Sequence, residues 1–521
     1  MKLSFCRNFI AGRVSKAFGV FVVLLTALAL LSSPVIAAKK DKLLIGMAGQ
    51  PTTMDPGVRL GLPMLQTWPL VFDGILSRDP KGKIGPGLAT SYKFVKPTVI
   101  ELKIRKGVKF HNGESADAHA VKYSIDRLFD PKLKSRVKTF FRSVKKVVVI
   151  DSHTVQIHTK TPDRYLLSPL ADFGYVVPPK HYKATKLKVL ARKPIGSGPY
   201  RLTKWKKGSE MVFEASKGYW NPSKQKVKKV VIKHIPENTT RASALISGYV
   251  DMIKDIPPQL VSMVSSKSNL DVVQGPGPKA CSLIMVLKKG APWTNVKVRQ
   301  AVNYAINKKS IIKNVMMGYA TLAKGTVVGP DSFGHNPKID AYHYNLAKAK
   351  KLMKEAGFEK GFEVPLMVPQ GRYLKGQAGA EAIAGNLKKL NIKVKVTPLE
   401  YAAWRRNSRS KWEKHRKPYW NYACRNDIAL HSAWMFGGLL FSKSTHGGVR
   451  SDALDKMIKD AAAESNEAKQ ISMYQKLNKH IRNNAYLVFL YHLDEISGKR
   501  KEVDWKMRNT GLVIASDAGW K

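Results

Sequence analysis

Two periodicities alternate along this chain, and that alternation limits the folds open to it. Val298, Ala301, Val302, Ala305 and Ile306 recur at helical spacing within Asn295–Met316. Asn345 opens a second helix carrying Ala349, Leu352, Met353 and Ala356, which Gly357 ends. Ala378–Leu390 reads as a third, leading into the strand Ile392–Val396, and Leu454–Asn483 as one or two more before the strand Tyr486–His492. The first half is richer in strands. They are predicted at Leu43–Met47, Tyr200–Leu202, Glu210–Glu214 and Lys229–His234. Along Val99–Val108, Ile100, Leu102 and Ile104 face one side while Glu101, Lys103 and Arg105 face the other. A helix is expected over Ala116–Phe129, capped by Ser115 or Asp117, then a hairpin over Lys145–His158 and a short helix over Arg241–Gly248. Strands and helices taking turns argue for α/β layering, and 521 residues suggest two to four domains.

The N-terminus has the layout of an export signal. Lys2, Arg7, Arg13 and Lys16 precede the apolar run Ala17–Leu31, and small residues follow at Pro34–Ala38. Cleavage is expected near Ala37 or Ala38. The apolar run is shorter than the roughly 20 residues a membrane helix needs. Cleavage leaves two cysteines, Cys281 and Cys424, which pair or stay buried as free thiols. Three cysteines in all exclude a disulfide scaffold and a four-cysteine zinc site.

Familiar catalytic signatures are missing. The chain holds no G-x-S-x-G, H-E-x-x-H or G-x-x-x-x-G-K-[ST] pattern. His153 and His158 are five apart on a hairpin and face opposite sides, so no metal site is expected. Ser197 between Gly196 and Gly198 reads as a glycine hinge rather than a nucleophile. We expect neither catalysis nor a cofactor.

Several segments in order resemble the family 5 extracytoplasmic solute-binding proteins, the oligopeptide- and dipeptide-binding components of ABC importers. They include Gly85–Leu128 with its Gly-Val-Lys-Phe-His-Asn-Gly core, Lys193–Leu202, Gly218–Pro222 and Arg241–Met252. Asn295–Ile312, Tyr344–Phe362 and Gly371–Val396 complete the series. The match is weakest between Trp404 and Gly448. The resemblance implies an α/β fold of the type II periplasmic binding protein kind, with two main lobes, a hinge and an inserted third lobe. Lobe I takes residues 39–75, 194–275 and 496–521, lobe II 76–193 and lobe III 276–495. A peptide or peptide-like solute lies between lobes I and III, and the closed protein, a monomer, meets the permease and ATPase subunits of an importer.

The resemblance also suggests contacts. Arg372, after the strand Glu363–Val368, matches an arginine that grips a ligand carboxylate, with Tyr373 beside it. A guanidinium offers a planar fork suited to that task. Trp404 matches an often aromatic position, although Trp404–Lys417 itself reads as a charge-dense solvated face or loop. Peptide-binding members carry an Asp after the strand that corresponds to Asp427–Trp434, to pair with the peptide ammonium. Here Trp434–Gly448 contains no acid. Trp434, Met435 and Phe436 are expected as an apolar pocket wall. Gln50, Pro51, Thr52 and Thr53 lie at the mouth, and Trp68 is a further aromatic candidate.

Charge leaves a rival reading. Ninety Lys and Arg against 37 Asp and Glu give a formal net charge of +53. Such a chain is attracted to anionic surfaces, so a basic secreted protein binding an anionic envelope polymer or nucleic acid is the alternative. No specific nucleic acid partner is expected.

Overall fold

Eleven strands share one sheet, and their directions locate the site. In the computed structural model, residues 41–409, 418–444 and 447–521 are described. The expected signal segment, residues 1–38, lies outside them, as do residues 410–417 of the charge-dense stretch. The sheet strands are β1 (Lys42–Met47), β2 (Tyr200–Lys206), β3 (Glu210–Ala215), β4 (Lys229–His234), β5 (Met252–Lys254) and β6 (Leu270–Met285). They continue with β7 (Ala320–Leu322), β8 (Phe362–Pro369), β9 (Ile392–Leu399), β10 (Trp420–Asn426) and β11 (Leu487–Arg500). Their spatial order is β9-β8-β10-β6-β11-β5-β1-β4-β3-β2, with β7 added to β11.

β1 runs parallel to β4 and β5, and β8 runs parallel to β9 and β10. Between these two sets lie only the long antiparallel strands β6 and β11. Lys254 at the end of β5 is opposite Ser497, which is opposite Val273 of β6. Asn426 at the end of β10 is opposite Lys279 of β6. The C-terminal ends of the two parallel sets therefore face each other across Val273–Lys279. The six steps between these seven residues span at most about 20 Å.

Within this bridge the register of β6 on β11 shifts between Pro276 and Lys279. Pro276 and Pro278 have no N–H to give the ladder. A Cβ on Gly277 would lie 2.3 Å from the Leu493 carbonyl oxygen. The bridge is thus the place where pairing is thinnest.

A second sheet orders Ala89–Lys96, Val99–Ile104, Thr154–Thr159 and Val144–Asp151, all antiparallel. Ile100, Leu102, Val155 and Ile157 are buried in one apolar core with Val121 and Ile125 of the helix Ala118–Asp126. Asp117 caps that helix, accepting from the N–H groups of His119 and Ala120. This body touches the far half of the main sheet. Arg78 Nη2 donates to the Ala429 carbonyl at 3.1 Å, Phe140 packs on Trp434, and Arg164 pairs with Glu467.

Some elements depart from expectation for local reasons. Asn295–Met316 is two helices, Val296–Ala305 and Lys308–Asn314, because the Asn307 side chain caps the second. The strand expected over Asp427–Trp434 ends at Asn426. A helix, Ser432–Leu439, follows instead, capped by His431 Nδ1, which accepts from Ala433 N–H. Tyr401–Arg409 is a helix where a solvated face or loop was expected, since Glu400 accepts from Ala402 and Ala403 N–H and Trp404 turns inward. Gly196 and Gly198 are packing positions, since a Cβ at either would strike the Val71 backbone. Among the described residues no helix is long and apolar enough to cross a membrane.

Candidate functional site

In open α/β sheets, ligands bind outside the C-terminal ends of parallel strands. Here two such edges confront each other. At the end of β8, Arg372 is exposed, with its guanidinium carbon 5.2 Å from the Tyr401 ring and 6.0 Å from the Tyr373 ring. Tyr401 stacks on Trp404 at 6.0 Å, and Tyr373 meets Trp404 edge-on at 6.3 Å. The structure thus brings Arg372, Tyr373 and Trp404 into one aromatic-backed cluster. Among the described residues Arg372 has no carboxylate partner, and the buried Trp404 indole N–H has no hydrogen-bond partner. Tyr373 is half-buried, and burial pushes its hydroxyl pKa up.

At the end of β10, Cys424 is disulfide-bonded to Cys281, its direct partner across to β6. Next to it Arg425 lies 4.3 Å from the Trp434 ring centre and donates to the Trp434 carbonyl at 3.1 Å. A Cβ on Gly438 would lie 2.1 Å from this guanidinium, so glycine keeps its berth open. Trp434 Nε1 donates to the Asn426 carbonyl. Asp427 is turned inward and is 2% exposed. It accepts from Ser332 Oγ at 2.7 Å and from His431 N–H at 3.1 Å, and burial pushes its pKa up to about 6.

Across the gap, Gln50 Oε1 accepts from Gly208 N–H at 2.9 Å, leaving a buried Nε2 without a partner. Pro51 is buried, Thr52 exposed, and Thr53 Oγ1 accepts from Asp55 N–H. The floor of the gap is ionic. Glu495 of β11 takes Lys254 at 2.7 Å on one side and Lys279 at 3.0 Å on the other, and Lys254 also reaches Asp255 at 2.8 Å. Met435 and Phe436 belong instead to the apolar core behind their helix, Phe436 beside Tyr474. Trp68 is fully buried edge-on to Tyr175. None of these three is brought to the gap. Ser197 is buried as well. Among the described residues no group of three or more His, Cys, Asp or Glu is placed to hold a metal.

The model of bacterial extracellular solute-binding proteins, family 5 (middle), matches residues 83–424. The chain belongs to the family 5 solute-binding proteins of ABC transporters. A relative in that family, the glutathione-binding protein GsiB of Pectobacterium atrosepticum, is 30% identical over 376 residues, 71% of each chain. The fold is that of HbpA2 from Haemophilus parasuis, with a TM-score of 0.81 at 20% identity over 92% of this chain and all of that one. It is also that of the ABC transporter-associated periplasmic binding protein DppA of Helicobacter pylori, solved with the peptide STSA. There the TM-score is 0.75 at 23% identity, covering 92% of this chain and 98% of DppA. GsiB and DppA are both named as binding proteins.

Within this family 5 chain, Lys254, Asp255, Lys279, Glu495 and Arg425 were not singled out from sequence. Each is one charged residue among many, and no spacing marks them. Only the pairing of β5, β6, β10 and β11 draws them together.

Proposed function

We propose that the protein is an exported receptor, freed of its leader near Ala37 or Ala38, that encloses a peptide-like solute and delivers it to the permease and ATPase of an ABC importer. In this reading residues 39–75, 194–275 and 496–521 form lobe I, 76–193 lobe II and 276–495 lobe III, in a monomer. The solute lies between lobes I and III, with a carboxylate on Arg372 and its apolar parts against Tyr373 and Trp404.

One observation carries the reading. Two sets of parallel strands point their C-terminal ends at each other across a bridge of two strands, and one edge presents an exposed guanidinium on an aromatic backing. The ligand in the name of the GsiB relative, glutathione, is a peptide-like molecule with free carboxylates. Closure favours whichever state the solute contacts on both faces.

Native mass spectrometry of the purified protein, followed by calorimetry with glutathione and a panel of di- and tripeptides, tests this. A single non-covalent solute or 1:1 binding of a peptide-like probe is expected. Binding of none of them, with no carried solute, would overturn it.

A further inference from the structure

If the cleft takes a peptide-like solute, an ammonium on it needs a counter-charge, because an unpaired buried charge is costly. The acid sought near Trp434 is absent, and Asp427 is shut away under Ser332 and His431. Other acids at the gap are engaged. Glu495 is 5% exposed and held between Lys254 and Lys279. Glu400 caps a helix, and Asp494 accepts from Gln274 and Thr321.

Asp255 differs. It directly follows β5, on the edge that faces Asn426 across the bridge, and 50% of its side chain is exposed. One carboxylate oxygen, Oδ1, meets Lys254 Nζ; the other has no partner among the described residues. Its backbone sits at φ +60°, which few non-glycine residues adopt. Arg241, 1% exposed, holds it there. Its Nε donates to the Lys254 carbonyl at 3.0 Å and its Nη2 to the Asp255 carbonyl at 2.8 Å. A side chain fixed in an uncommon backbone state while its carboxylate stays open is pre-organised for a partner. Burial works against ionisation, but Lys254, Lys279 and Arg241 outweigh it and hold the carboxyl below its usual range.

We infer that Asp255 is the acid that receives the solute's ammonium, from the lobe I side of the cleft rather than from the strand end at Asn426. Lys279, 30% exposed and already on Glu495, lies near enough to act on Asp255. A ligand end carrying both ammonium and carboxylate fits this floor better than a lone cation. The inference rests on the proposed cleft, and its test separates the two.

Calorimetry would use glutathione and trialanine, each with its amine free and acetylated, on the full protein and on Asp255→Asn. Asparagine tolerates the same backbone state and the buried Glu495 still pairs Lys254, so the variant should fold, with a melting temperature lowered by the loss of the half-exposed Lys254–Asp255 pair. We expect the variant to bind free-amine probes at least tenfold more weakly. It should also lose the preference over acetylated probes that the parent protein shows. Undiminished affinity with the preference intact overturns the assignment of Asp255 and leaves the cleft standing. Failure of the parent protein to bind any of the four probes overturns this inference, and with no carried solute and no binding from the wider peptide panel it overturns the cleft reading as well.

Discussion

At the scale of single residues, chemistry was legible where a side chain stood within a recognisable motif and illegible where only its surroundings gave it meaning. Arg372 was marked by the residues around it, and the structure places it exposed on Tyr401. Replacing it by alanine should weaken a carboxylate-bearing ligand about tenfold or more, since a hydrogen bond to a charged group contributes about 1.5–3 kcal/mol. Lysine at that position keeps the charge but not the fork, so calorimetry should find only partial recovery. Asp427 was the opposite case. From sequence it bounded the stretch in which an acid was sought, but its carboxylate is spent on Ser332 and on the turn before a helix. No local pattern distinguishes an acid that serves a ligand from one that serves the backbone.

At the scale of elements, the strongly periodic segments are legible in the sequence and the bridge is not. β6 contains Gln274-Gly275-Pro276-Gly277-Pro278, which reads as a loop because proline and glycine disfavour strands. It pairs nonetheless, since β11 runs alongside it over most of its length. Glu495 locks this bridge from both sides. Its replacement by glutamine leaves Lys254, 7% exposed, with Asp255 alone, and should cost on the order of 3 kcal/mol, read as a lowered urea midpoint. The disulfide ties the same bridge to β10 and closes a sequence separation of 143 residues. Serine at both Cys281 and Cys424 should destabilise the protein by about 2–5 kcal/mol in the same assay. Sequence left the pairing open because the distance between the two thiols depends on strand register.

At the scale of the whole molecule, buried titrating groups set the response to acid. Burial pushes the pKa values of His111 and His492 down to about 4 and of His431 to about 3. These rings take up protons near pH 6.5 only when the chain unfolds. Asp73 and Asp427 act oppositely, burial raising both to about 6, so the folded state keeps their protons longer. Between pH 4 and 6 the unfolded chain binds three extra protons on the histidines and the folded one two on the aspartates. Stability should therefore rise with pH by about 1.4 kcal/mol per unit for the net proton, and level off above about pH 7 as the histidines of the unfolded chain also lose their protons. Asp427→Asn removes one opposing proton and should steepen the lower range, as urea midpoints measured from pH 4 to 7 would show.

Sequence alone determined the α/β layering, the family and the order of most elements, and it marked Arg372 as a candidate, because periodicity and motifs act over a few residues. Tertiary structure alone decided that two strand edges oppose each other, that Cys281 meets Cys424, and that Asp427 is occupied while Asp255 is open. Those facts follow from which strands pair and in what register, and pairing joins residues hundreds of positions apart through contacts that no local pattern encodes.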